Sequence, residues 1–195
     1  SFLGTDNYKA GVTAADKMAE LLGREGEVAV LTLPGQQNHE ERSRGFRDTI
    51  QRQYPAMKVV EVADGRADAL VSRNESLRLM KAYPKLAGIF VTEATGGTGV
   101  GEAVLSQKNS HPLKIIAFDT NKATLDMIRG GTISATIAQG TWNMGYWSLQ
   151  YLFHLHHHLT IPAPSSSGDN APLPVRVDTG ISVVTRANVD DYYAK

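Results

Sequence analysis

The chain is 195 residues long, enough for one generous domain or two small lobes, and its 42% hydrophobic share is ordinary for a protein with a sizeable core. Basic and acidic side chains balance at 20 each, so no broad electrostatic pull toward nucleic acid or an anionic membrane exists. There is no cysteine, which excludes disulfides and thiolate chemistry and suits an oxidising compartment such as the periplasm without requiring one.

No apolar run is long enough to span a bilayer, and no signal-peptide pattern opens the chain. The start, Ser1-Phe2-Leu3-Gly4, reads as a strand end running into a turn, which suggests a mature fragment or a truncated chain. Residues 6–23 read as a helix, with Ala10, Ala14, Met18, Leu21 and Leu22 at helical spacing and Gly23 as a stop. Residues 28–33 form a short β-rich apolar run, the pattern of a buried parallel strand, ended by Pro34-Gly35. A helix is predicted over 39–53, burying Phe46 and Ile50. The unit then recurs: strand 57–62 and helix 67–83, strand 88–92 and helix 99–107, strand 113–118 and helix 123–129, and a last short strand over 133–138. Such alternation implies right-handed βαβ crossovers and a three-layer α-β-α fold around a parallel sheet.

The tail differs. Residues 143–159 predict a long helix rich in aromatics, and 162–168 with Pro172 and Pro174 a loop. Residues 175–185 alternate and end in a β-branched strand, and 188–192 are short and polar.

In open parallel sheets, ligands bind beyond the carboxyl ends of the strands. After the first predicted strand come Pro34-Gly35-Gln36-Gln37-Asn38, with Arg42 one turn into the helix. Thr92-Glu93 follows the third, Asp119 the fourth and Gln139 the fifth. Two carboxylates, a guanidinium and a carboxamide suit a polyol, because each hydroxyl both donates and accepts. The plainer alternative is that these residues cap helices, and Asp119 and Asn38 are good N-cap types.

Gly96-Gly97-Thr98-Gly99-Val100-Gly101 follows a strand and precedes a helix, yet it has neither the dinucleotide glycine spacing nor the Lys-Ser/Thr of a P-loop. Its glycines are expected to turn the backbone tightly. His154 and His158 would share a helix face, but a two-histidine pair is below the usual ligand count, so solvated surface is expected and no metal. Trp142, Tyr146, Trp147 and Tyr151 are at helical spacing and predict a core stripe, with Trp142 close enough to Gln139 to flank a site. No Gly-x-Ser-x-Gly elbow, cysteine nucleophile or metal triad points to catalysis.

Several segments resemble the second lobe of ribose-type periplasmic binding proteins of type 1. Gly4-Thr5-Asp6-Asn7 leading to Gly11 resembles its opening, and Arg42-Ser43-Arg44-Gly45-Phe46 its R-x-x-G-F segment. Ala117-Phe118-Asp119 is similar to its G-F-D strand end, and Ala135-Thr136-Ile137-Ala138-Gln139 to its A-T-I-A-Q segment. Val177-Asp178-Thr179-Gly180-Ile181 and Thr185-Arg186-Ala187-Asn188-Val189-Asp190 resemble the closing strand and terminal turn of related sugar-binding proteins. The resemblance implies a periplasmic-binding-protein-like type I fold, with residues 1–140 as a ligand-binding second lobe. Residues 141–195 would be a return helix, loop and closing strand packing toward the first lobe and hinge, and the first lobe itself is missing upstream of Ser1.

The family places sugar in an interlobe cleft, and by position its ligand contacts fall on Arg42, Glu93, Asp119 and Gln139, with Asn38 and Trp142 beside them. Glu93 stands where ribose-type proteins carry Asn, an acceptor-only group in place of an amide. It could signal another sugar, a polyol or a cationic ligand, or it could pair with Arg42 and orient it. The implied protein is the substrate-binding component of a sugar ABC importer. It would have no enzymatic activity and no cofactor. It would be periplasmic or extracellular, lipoprotein-anchored in a Gram-positive cell, with a membrane permease as partner. It would be a monomer at full length, without nucleic acid or membrane insertion. The alternatives sharing the fold are a receptor's sensing domain and the effector core of a LacI-type regulator.

Overall fold

The computed structural model describes residues 1–107, 113–159 and 173–193. Strands and helices alternate as β1 (Phe2–Gly4), α1 (Asn7–Leu22), β2 (Gly26–Thr32), α2 (Gln37–Gln53), β3 (Met57–Asp64), α3 (Ala69–Ala82) and β4 (Leu86–Val91). They continue as α4 (Gly96–Ser106), β5 (Lys114–Phe118), α5 (Lys122–Gly130), β6 (Ala135–Gln139) and α6 (Thr141–His156). β7 (Arg176–Asp178), β8 (Ile181–Val184) and a 3-10 turn (Val189–Tyr192) complete the described chain. The predicted 162–168 loop lies outside the described residues.

The chain divides into two units. The larger comprises Asn7–Ala138 and Val183–Lys195, the smaller Ser1–Asp6 and Gln139–Ser182. The larger is built on a sheet of order β3-β2-β4-β5-β6-β8, in which β3, β2, β4, β5 and β6 pair in parallel. Every second residue of a strand faces the same layer. Ala29, Leu31, Ile89, Val91, Ile115 and Ala117 therefore join one buried cluster with Leu79, Val100, Leu125 and Ile128 from α3, α4 and α5. The alternate residues face α1 and α2: Phe90 stacks on Phe46 with ring centroids 4.9 Å apart, and a Cβ on Gly88 would lie 2.5 Å from Met18 Sδ.

Two glycines set the approach of α1 to α2. A Cβ on Gly11 would sit 2.0 Å from the Arg42 carbonyl, and one on Gly45 would sit 2.1 Å from the Tyr8 carbonyl. The helices cross backbone against backbone, which only glycine permits. The Gly of the R-x-x-G-F segment therefore serves packing, and it seats Arg42 one turn away.

The glycine-rich segment departs from its expected role. It forms the first turns of α4 instead of a tight turn. Its glycines admit neighbours: a Cβ on Gly99 would lie 2.1 Å from the Ala69 carbonyl, and one on Gly97 would lie 2.6 Å from Ala117 Cβ. The predicted 175–185 strand is also two strands. Gly180, at φ +83°, breaks it, so β7 pairs with β1 in a two-stranded parallel sheet while β8 joins the six-stranded one.

Candidate functional site

The sheet order places the chain reversal between β2 and β4, since β3 lies on one side of β2 and β4 on the other. At such a switch point the connections leave in opposite directions and open a crevice at the carboxyl ends. Thr32 ends β2, Thr92 follows β4, and α2, which follows β2, carries His39 and Arg42. These four side chains are buried together.

Arg42 is 4% exposed and held from three elements. Its Nε donates to Asn7 Oδ1 at 2.9 Å, at the start of α1, and its Nη1 donates to the Thr92 carbonyl at 2.8 Å. The guanidinium carbon lies 3.7 Å from the centroid of the Phe118 ring at the end of β5. A buried charge needs such partners. Burial lowers the Arg42 pKa to about 10, and the negative charge of Asp119 opposes that fall. The group is therefore a cation at neutral pH, fixed in direction before any ligand arrives.

Asp119 follows β5 with φ +64°, in the left-handed region that costs a non-glycine residue about 1–2 kcal/mol. Its N–H donates to the Ile137 carbonyl and its own carbonyl accepts from Thr136 Oγ1, both at 2.8 Å, so β6 holds the strained residue in place. The expectation that Asp119 and Asn38 cap helices fails: the N-caps of α5 and α2 are Asn121 and Gln36. Asn38 lies inside the first turn of α2, half-buried.

Glu93 is turned the other way from a pairing with Arg42. Its Oε2 accepts from the Thr95 N–H at 2.6 Å and the Thr95 hydroxyl at 2.7 Å, and its Oε1 accepts from the Gly96 N–H at 2.6 Å. The carboxylate occupies the amide-rich start of α4, where its charge meets the positive end of the helix. The place a phosphate would take is filled by the chain's own anion.

Gln139 and Trp142 belong to the smaller unit. Gln139 Oε1 accepts from Thr5 Oγ1 at 2.7 Å. Around it three chain passages meet: Gly140 N–H donates to the Gly180 carbonyl at 3.0 Å, Asn143 Nδ2 to the Thr179 carbonyl at 3.1 Å, and Thr179 N–H to the Gly4 carbonyl at 3.0 Å. Trp142 is 72% exposed and stacks on Tyr146 at 4.9 Å. The predicted core stripe is corrected here, because α6 has no buried residue and Trp147, Leu149, Leu152 and Phe153 are exposed as well. Helical spacing shows that side chains share a face, not that the described residues cover it. The shared His154–His158 face is also lost: α6 ends at His156 and His158 turns away at φ +54°. Among the described residues no group of three or more His, Cys, Asp or Glu could hold a metal.

Sequence reasoning missed Asn7 and His39. Asn7 closes the Gly-Thr-Asp-Asn opening, and His39 precedes Arg42 by three residues, the spacing of one helix face. Both signals were present in the sequence.

A parallel α/β unit with a braced cation and a strained carboxylate at its switch point is a small-ligand-binding architecture. The family model described as periplasmic binding protein domain matches residues 1–156, and the chain belongs to that family. It is 60% identical to a sugar-binding protein of a sugar ABC transporter from Bacillus halodurans. That structure is matched with a TM-score of 0.94 over 99% of this chain and 66% of that one. An arabinose binding protein from Geobacillus stearothermophilus is also 60% identical, with a TM-score of 0.90 over 100% of this chain and 66% of that one. A D-apiose import binding protein from Actinobacillus succinogenes is 32% identical over 71% of this chain. The chain spans about half of that relative's length, 45%.

Proposed function

We propose that this chain is the ligand-gripping lobe of a sugar-binding protein that delivers a pentose or similar polyol to the membrane permease of an ABC importer. The observation that supports it is the buried Arg42, stacked on Phe118 with Asp119 beside it at the switch point of the sheet. A guanidinium donates to hydroxyl lone pairs and a carboxylate accepts hydroxyl protons, which is the pairing a polyol requires. The sugar-binding transport proteins to which the chain is 60% identical support the same ligand class. Binding without turnover is part of this reading: the Thr92 hydroxyl, 3.3 Å from His39 Nδ1, is fully buried and gives its proton to the Thr32 hydroxyl. Asn38, on the same unit, is proposed to add a contact. The bare apolar face of α6 is proposed to pack on a companion lobe, the region of the relatives that this chain does not span. Function outside the cytoplasm accords with that reading.

A thermal-shift series of the full-length protein against arabinose, ribose, apiose and allose, with amino acids as controls, tests the proposal. A ligand at a hundred times its dissociation constant adds about 2.7 kcal/mol of stability. At roughly 2–4 °C per kcal/mol for a chain of this size, Tm should rise by about 5–10 °C with one of the sugars. A shift with amino acids and none with any sugar would overturn it.

A further inference from the structure

We propose that His39 is a positioning residue of the sugar site: its ring holds the Thr92 carbonyl as the anchor for Arg42, and protonation of the ring weakens ligand binding. The inference rests on the sugar-site reading above and extends it to a buried residue one helical turn before Arg42.

The geometry is a closed circuit of buried groups. His39 Nδ1 lies 3.0 Å from the Thr92 carbonyl. A carbonyl only accepts, so Nδ1 carries the ring proton. Arg42 Nη1 donates to the same oxygen at 2.8 Å. The Thr92 hydroxyl donates to the Thr32 hydroxyl at 3.1 Å, which donates to the His39 carbonyl at 3.4 Å. The ends of the two strands flanking the switch point are therefore tied to one turn of α2, and both lone pairs of the Thr92 carbonyl are used by that turn.

Charge gives the circuit a pH dependence. The groups facing the ring are Arg42 on its own helix, Glu93 after β4 and Asp119 after β5. Burial first, then the Arg42 charge, hold the His39 pKa below the ordinary imidazole value, while the Thr92 carbonyl and the two carboxylates pull it upward. The ring is neutral at neutral pH. Once protonated, it sets a second cation beside Arg42 on a shared acceptor and competes with the ligand for the charge of Asp119.

The test compares wild type with His39→Asn, which keeps a donor near Nδ1 but cannot titrate, and His39→Leu, which loses the donor. Two measurements on full-length protein are read together: the Arg42 Nε–H signal in a ¹H–¹⁵N NMR spectrum, and arabinose affinity by calorimetry from pH 5.5 to 8. The Arg42 signal should be slowly exchanging in wild type and His39→Asn and broadened in His39→Leu. Arabinose affinity should fall on acidification in wild type and stay level in His39→Asn. His39→Leu should bind about tenfold or more weaker at every pH, as expected when a buried hydrogen bond to a charged site is lost. An Arg42 signal unchanged in His39→Leu, or an identical pH profile in His39→Asn, overturns the proposal. If wild type binds no sugar, the sugar reading fails, and the Arg42 signal still decides the role of His39.

Discussion

Gly45→Ala tests whether the glycine crossing of α1 and α2 holds the site together. In an open helix the substitution should stabilise by up to about 1 kcal/mol, through lower backbone entropy in the unfolded chain. Here the new Cβ would meet the Tyr8 carbonyl oxygen at 2.1 Å and the Val12 nitrogen at 3.2 Å. Ordinary carbon–oxygen contacts begin near about 3.3 Å, so α1 must retreat by about 1 Å. Both opposing atoms are backbone and cannot rotate aside. Overpacking of this kind costs about 1–3 kcal/mol. Net destabilisation should be about 1–2 kcal/mol, or roughly 2–8 °C in Tm for a chain of this length. The same retreat stretches the 2.9 Å bond from Arg42 Nε to Asn7 Oδ1, because those residues stand on the two helices being separated. Sugar affinity should fall with stability. Urea unfolding followed by circular dichroism and calorimetric titration provide the two numbers. Gly130→Ala is the control, since a Cβ there meets nothing within 4 Å. A Gly45→Ala protein as stable as Gly130→Ala would refute the reasoning.

Asp119→Ala should weaken sugar binding by about 1–3 kcal/mol through lost charged hydrogen bonds, and unchanged affinity in a titration would remove Asp119 from the site. Asp119→Gly should bind equally poorly yet unfold about 1–2 kcal/mol harder than Asp119→Ala, because glycine adopts φ +64° without strain. Glu93→Gln should cost about 1–3 kcal/mol of stability in urea melts, since its amide nitrogen would face the Thr95 or Gly96 N–H, a donor against a donor. Stability should also decline on acidification through His39. Its folded pKa lies below the unfolded value of about 6.5, so the unfolded chain binds the proton first. The contribution is complete above that value and is lost as pH falls through the folded pKa. Urea midpoints measured from pH 8 to 5 should show this slope in wild type and a shallower one in His39→Asn.

Much of the fold was legible because its periods were clean. Val28-Ala29-Val30-Leu31 and Ile115-Ile116-Ala117-Phe118 are continuous apolar runs, and a strand covered on both faces must be one. Ala10, Ala14 and Met18 in α1 are all buried, as their spacing predicts. Boundaries failed where a distant group supplied what the local sequence lacked. α4 starts three residues early because the Glu93 carboxylate satisfies the amides of Thr95 and Gly96, and four glycines in a row of six do not announce a helix. The aromatic stripe of α6 was read as core because its period is right. What covers a helix face is tertiary information that a period does not contain. For the proposed site, residue types at strand ends pointed to Arg42 and Asp119, and the structure adds the burial of the first and the positive φ of the second. They did not show that Glu93 would be consumed by its own helix, because that depends on which way one side chain turns.

Three energetically costly residues of the larger unit follow β2 and β5. Arg42 is a desolvated cation and Asp119 a strained non-glycine residue, and His39 is a buried imidazole held neutral. The core of the unit follows the rules that stabilise α/β folds, with alternating apolar faces and glycines where backbones touch. Glycine at position 119 would relieve the strain, and an apolar residue at 42 would spare the cost of burying a charge. Neither replacement would leave the guanidinium donor and the carboxylate acceptor in place. Preorganised polar groups gain their affinity because the cost of ordering them was met during folding. The costs carried at positions 42 and 119 are thus of the kind that the proposed polyol site would account for.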